Sequence, residues 1–337
     1  CIAIFRDDLK SLLAYSTVSH LGLITMLLGF GTRMAAVAAV LHILNHAAFK
    51  AALFMSAGIV DHETGTRSIA KLGGLRRLMP ITGVLAIIAS LAMAGIPFFN
   101  GFVSKEMMLE EASHTAYAGL PWLVPLLATL GALFSVAYSA RLVGAVFFGE
   151  TRYVDEKHPP HDPPLGMWLP VAILVVPVVV FGLLPALAQP VVEMAAGAVV
   201  NGVLPEFHLA LWHGVTPALV MSLAAIAGGL VLLAAYGSLT QIRRAIPRPE
   251  AKAAFEWGVR KSAAGAQMLT DALHNNSLSR YMFLTVLGTI GLGAAAFWST
   301  THGPGTQPML EVSAPAAVVW FALLLACGGV VFRHHDR

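Results

Sequence analysis

Apolar residues run along this chain in long blocks, at about 12–31, 34–60, 80–111, 121–147, 166–187, 216–237, 281–299 and 314–332. Each reaches the roughly 17 residues that a helix needs to cross a bilayer, so the pattern predicts eight membrane spans. The third block is interrupted. Pro80 opens an apolar helix, Gly95-Ile96-Pro97 breaks it, Asn100 and Gly101 keep it irregular, and Ser104-Lys105-Glu106 resumes it. Pro97 lacks a backbone donor and clashes with the preceding turn, so the helix is expected to unwind near mid-membrane. Between about Glu250 and Arg280 the apolar residues recur at helical spacing among charges, which predicts an amphipathic helix along a membrane face or a neighbouring protein. The expected fold class is all-α: a polytopic membrane protein of about eight transmembrane helices, one broken near mid-membrane, plus that lateral amphipathic helix. The expected segments are 1–147 with the broken helix at 80–111, two further spans in 148–237, the amphipathic stretch 238–280 and two C-terminal spans in 281–337. Ile2-Ala3-Ile4-Phe5 reads as the tail of a helix begun earlier and Phe332 to Arg337 as a membrane exit that continues, so truncation at both ends is expected.

Composition sharpens this picture. With 57% hydrophobic and 12% charged residues and a mean hydropathy of +0.74, the chain falls outside the soluble globular class. Threading eight spans puts Arg67, Lys71, Arg76, Arg77, Arg152, Arg243 and most other cations on one side, and only Arg33 on the other. That asymmetry assigns the basic side to the cytoplasm and supports counting the broken stretch as one crossing. The net charge of +3 therefore reflects membrane sidedness, and no nucleic-acid role is expected. Cys1 and Cys327 form no CxxC, and His158-Pro159-Pro160-His161-Asp162 is held extended by its prolines, so no metal site is expected. No phosphate loop, dinucleotide fingerprint, nucleophile elbow or haem motif occurs, and no cofactor is expected.

The candidate chemistry lies inside the membrane. Lys105 sits just past the break, where a lysine costs roughly 2.5–3.5 kcal/mol on insertion scales, and unwound backbone there survives only beside protein or a water-filled cavity. His42, His46 and Lys50 are spaced four apart along one face of the second span, with Asn45 beside them. Such a stripe suits a proton path, because imidazole takes a proton on one nitrogen and gives one from the other. Interhelical hydrogen bonding is the alternative reading of the same residues. His20 fits either role, and Lys10 is explained equally well by snorkelling. Arg141, near the end of its span, is expected to snorkel. Glu110 and Glu111 lie near the outer exit, as a proton or cation acceptor or as a solvated helix end. No intramembrane carboxylate cluster announces a cation site.

Three ordered motifs resemble the antiporter-like subunits shared by respiratory complex I and Mrp-type cation/proton antiporters: Asp8 to Thr17, His42 to Lys50 with Phe49-Lys50-Ala51, and Gly101-Phe102-Val103-Ser104-Lys105-Glu106. The match covers roughly residues 1–240. Asp61 to Arg67 and Asn100 to Met108 look like the large A-type subunits of the Mrp branch, and so does the run from Asn276 to Arg337. The resemblance implies that 1–147 holds the second of two inverted repeats. It matches Lys105 to the lysine of that repeat's broken helix, Lys50 and His46 to the central relay, His42 to its extension and Lys10 to a lysine of the family motif. It further implies a multi-pass subunit in the inner or plasma membrane that exchanges protons for Na+ or another monovalent cation, with other antiporter subunits as partners and no enzymatic chemistry of its own. A redox-driven proton-pumping subunit of complex I or a membrane hydrogenase, and a structural subunit whose polar stripe only packs helices, are the alternatives.

Overall fold

The computed structural model describes residues 2–154, 158–200, 202–245, 251–274, 277–299 and 313–333, so Cys1 and the C-terminal His334-His335-Asp336-Arg337 lie outside the described residues. It is helical, with no strand among the described residues. The helices are α1 (Leu9–Gly29), α2 (Arg33–Thr64), α3 (Pro80–Ala94), α4 (Asn100–Ser113), α5 (Leu123–Phe147), α6 (Leu165–Leu183), α7 (Gln189–Val200), α8 (Pro217–Ala234), α9 (Tyr236–Ala245), α10 (Ala251–Leu273), α11 (Leu278–Ser299) and α12 (Ala314–Arg333). Six of them, α1, α2, α5, α6, α8 and α11, are long and apolar enough to cross a membrane. The broken span appears as α3 and α4, each of only about 21–22 Å, and α12 is the remaining apolar helix of the eight-span pattern.

The chain divides into two compact units, Cys1–Pro247 and Arg248–Arg337. In the first, α2 is central: 32 residues, about 48 Å long, packed by α1, α3, α4, α6 and α7. Local chemistry sets the helix starts. The Asp8 carboxylate accepts from Ser11 N at 2.7 Å, Thr32 Oγ1 from Ala35 N at 3.0 Å and Thr216 Oγ1 from Leu219 N at 3.1 Å. α3 begins on Pro80 and takes its cap from far along the chain, because Asp162 accepts from Ile81 N, Thr82 N and Thr82 Oγ1 at 2.8–2.9 Å. The proline-rich loop thus fastens the start of the broken span, and its His161 lies 3.3 Å from Glu63 at the end of α2.

This unit exposes apolar side chains and buries a polar set within its apolar core. Val18, Leu126, Leu127, Ile173, Val176 and Val220 are exposed, while Ser16, His20, His42, Asn45, Lys50, Asn100, Ser104, Lys105 and Ser135 are buried. A bilayer-facing surface and a polar interior follow from a lipid solvent. α3 ends on Gly95 in the left-handed region (φ +81°), and Phe98 is also left-handed (φ +75°), a conformation that costs a bulky residue of order 1–3 kcal/mol. α4 resumes at Asn100, four residues before the sequence pattern predicts. α6 packs against the backbone of the unwound stretch, its Gly182 so close that a Cβ would fall 2.3 Å from Phe98 O, while the Phe98 side chain stays exposed.

In the second unit α10 is amphipathic, as its residue pattern predicts, and α11 buries no residue. His274 and Tyr281 join the two helices, with the tyrosine hydroxyl 2.8 Å from Nδ1 and the rings stacked at 5.3 Å.

Candidate functional site

Lys105, 3% exposed, reaches back across the break. Its Nζ donates to Met93 O (2.7 Å), Ala94 O (3.0 Å) and Ser135 Oγ (2.8 Å). Met93 and Ala94 close α3, so the ammonium occupies the electronegative end of that half-helix and satisfies carbonyls that have no helical partner. Gly95 makes room for it: a Cβ there would lie 2.6 Å from Lys105 Cδ. Ser135 Oγ also donates to Met93 O (2.8 Å) and accepts from Tyr138 OH (3.1 Å), which uses its single hydrogen and both lone pairs.

The Tyr138 ring meets His20 edge-on at 6.5 Å. His20 Nδ1 lies 3.0 Å from His42 Nε2, and His42 Nδ1 lies 2.9 Å from Ser104 Oγ, one residue before Lys105. Either His42 Nδ1 donates to Ser104 and His20 donates to His42, or both bonds run the other way. Switching between the two moves a proton along the row without moving a heavy atom far, which is the arrangement a relay requires. Ser104 Oγ has Gly101 O at 3.3 Å as an alternative acceptor. His46 lies 5.3 Å from the His20 ring and 6.3 Å from that of His42, so the three imidazoles form one cluster walled by Phe49. His20 Nε2 and His46 Nε2 are buried without a hydrogen-bond partner among the described residues.

One turn beyond His46 on α2, Lys50 is 4% exposed, and its Nζ donates to Leu13 O (3.3 Å) and, closely, to Ser16 Oγ. Ser16 passes its hydrogen to Leu13 O at 2.7 Å. Asn45 and Asn100 exchange bonds, Asn45 Nδ2 to Asn100 O at 2.8 Å and Asn100 Nδ2 to Asn45 Oδ1 at 3.0 Å, which ties α2 to the start of α4.

The structure therefore gathers His20, His42, Lys50 and Lys105 into one buried zone, with the half-buried His46 beside them. Lys10 is elsewhere: it pairs with Asp61 at 2.9 Å at the basic end, both side chains partly exposed. Arg141 also reaches that end, held by Asp7 and Arg6 O and lying 4.7 Å from the Tyr236 ring. Glu110 and Glu111 lie at the opposite end on a cavity of about 350 Å3, together with Glu106, His114, His208 and His213. Thr32 Oγ1 donates to Glu111 at 2.7 Å. The sequence reading missed Ser16, Ser135 and Tyr138. Their signal was faint, hydroxyls at helical spacing inside apolar runs, such as Ser135, Tyr138 and Ser139 on α5.

Residues 1–135 match the family described as NADH:quinone oxidoreductase/Mrp antiporter, TM. Over 232 residues, 68% of this chain, the sequence is 50% identical to the probable K(+)/H(+) antiporter A/B subunit of Rhizobium meliloti, covering 23% of that protein. Over 296 residues, 82% of this chain, it is 34% identical to the Na(+)/H(+) antiporter A1 subunit of Staphylococcus aureus, covering 37% of it. The chain thus spans between about a quarter and about a third of the length of these relatives. Among solved structures, the Mrp complex from Dietzia sp. DQ12-45-1b contains a chain similar over 98% of this one and 35% of its own length (33% identity, TM-score 0.71). Respiratory complex I from Thermus thermophilus is similar over 59% of this chain and 41% of the matched one (28% identity, TM-score 0.50). The family match covers residues 1–135, and the similarity to antiporter A subunits and to a chain of an Mrp complex extends beyond them.

Proposed function

We propose that this chain is part of the A-type subunit of a multisubunit cation/proton antiporter of the cell membrane, exchanging protons for Na+, K+ or another monovalent cation. The supporting observation is the buried row in which Lys105, Ser135 and Tyr138 approach His20, His42 and Ser104, with His46 and the Lys50–Ser16 pair alongside. Residues 1–147 act as a repeat of the antiporter-like fold, and 148–237 add two further spans. The 238–280 segment lies along the membrane surface, and the bare apolar faces of α11 and α12 meet lipid and neighbouring subunits.

No covalent step is required. A proton arriving at one end of the row adds positive charge in a low-dielectric setting, which repels its neighbours and drives the next transfer. Lysine suits the ends of such a row because a buried ammonium releases its proton in response to modest changes in nearby charge or hydration. Lys10, paired with Asp61 at the basic end, serves as the rim where protons exchange with solution.

The test is proton movement in inverted vesicles carrying the complete assembly, energised and then pulsed with Na+, K+ or choline. Antiport predicts alkalinisation of the lumen with one of the metal cations and none with choline. A wild-type assembly that answers no monovalent cation overturns the proposal and favours a redox-driven pump.

A further inference from the structure

The row of lysines and histidines assigned above to protons offers no carboxylate for a metal cation. The cavity at the far end of α4 does. Glu106, one residue after Lys105, is only 7% exposed, and its Oε2 is buried with no hydrogen-bond partner among the described residues. Its side chain lines the 350 Å3 cavity, with Glu110 one helical turn later and Glu111 beside it. Among the described residues lining that cavity there is no lysine or arginine; its nitrogens belong to His114, His208 and His213. Two of those rings have backbone partners, His114 Nδ1 on Glu110 O at 2.9 Å and His213 Nε2 on His208 O at 3.2 Å. A buried carboxylate oxygen without a donor is costly unless a positive charge comes to it.

The geometry points to the cavity as a monovalent-cation site, in which the Glu106 carboxylate replaces part of the ion's water shell and Glu110 and Glu111 concentrate the ion at the mouth. Among the described residues no three His, Cys, Asp or Glu side chains converge as a transition-metal centre needs. At about 30 Å3 per water, the space admits an ion that keeps much of its hydration. Loose, partly hydrated binding suits a transported ion, which must leave as readily as it enters. The site rests on the antiporter reading and supplies its missing half.

It also explains exchange. Lys105 and Glu106 are neighbours on α4 but face different surroundings, Lys105 toward α3 and Ser135, Glu106 toward the cavity. A cation held at Glu106 and a proton held at Lys105 are like charges within one helical turn, so each weakens the other.

The test uses the complete assembly in vesicles, treated with an apolar carbodiimide, with label on Glu106 read by peptide mass. Na+ or K+ is expected to reduce that label at least fivefold and choline to leave it unchanged. In the same vesicles Glu106→Gln is expected to raise the half-saturating cation concentration for exchange at least tenfold, with Glu106→Asp intermediate. Cation-insensitive labelling in wild-type vesicles that still exchange overturns the cavity site and leaves the antiporter reading standing. Cation-protected labelling without any exchange supports the site and overturns the antiporter reading. If Glu106→Gln does not assemble, the wild-type labelling decides alone.

Discussion

Lys105→Arg is expected to assemble yet lose cation-driven proton exchange by at least about 100-fold, whereas Lys105→Ala is expected to lose both. The lysine has two jobs in the structure. It holds the Met93 and Ala94 carbonyls and Ser135. Its removal leaves the Ala94 carbonyl unsatisfied at about 1–3 kcal/mol and takes one bond each from Met93 O and Ser135, which keep their bond to each other, while the lost side chain leaves a void in the bundle. Loss of function in Lys105→Ala alone therefore says little about proton transfer. Arginine keeps the charge and the donors but does not release its proton. Its larger head beside Gly95 is expected to cost about 1–3 kcal/mol in packing, a lower melting temperature rather than a lost fold. Exchange measured per assembled complex separates the two jobs. Exchange in Lys105→Arg within a few-fold of wild type would make Lys105 a helix cap and nothing more.

Gly101→Ala is expected to abolish assembly. A Cβ at this position would lie 1.9 Å from Ala92 O and 2.7 Å from Ala92 C, both backbone atoms that no rotamer change can move. The two half-helices would have to part, which breaks the Lys105 contacts and the Asn45–Asn100 pair. The expected cost is about 3 kcal/mol or more, a large share of the roughly 5–15 kcal/mol that stabilises a typical domain. Gly58→Ala, in the same bundle but with nothing within 4 Å, is the control and should assemble as wild type. Normal amounts of Gly101→Ala complex on a native gel would show that α3 and α4 are not locked as described.

The spans were legible because lipid demands long apolar blocks, and the break because Gly95 and Pro97 stand together inside one. Its far side was misread. Asn100 and Gly101 look like helix breakers in sequence, but Asn100 directs its amide to Asn45 and Gly101 is there for close packing, so both sit comfortably in the first turn of α4. The stripe His42, His46, Lys50 follows from helical spacing. Its meeting with His20 across two helices does not, and neither do the hydroxyls of Ser135 and Tyr138, whose polarity is diluted in an apolar run. Asp162 reads as part of a solvated loop, since nothing local shows that it caps a helix that begins about 80 residues earlier. The far-end cavity is still less visible, assembled from α4 and from a connector around His208 and His213 that has no pattern of its own.

Proton passage through the histidine pair is tested most directly by His42→Leu, with exchange measured per assembled complex in cation-pulsed vesicles. Leucine fills similar space but breaks both the His20 and the Ser104 bonds. Exchange at least about tenfold below wild type, with assembly intact and Lys105 unaltered, is the result predicted. Exchange at the wild-type rate would mean that protons do not pass through this row, and that the buried histidines only hold α1 against α2.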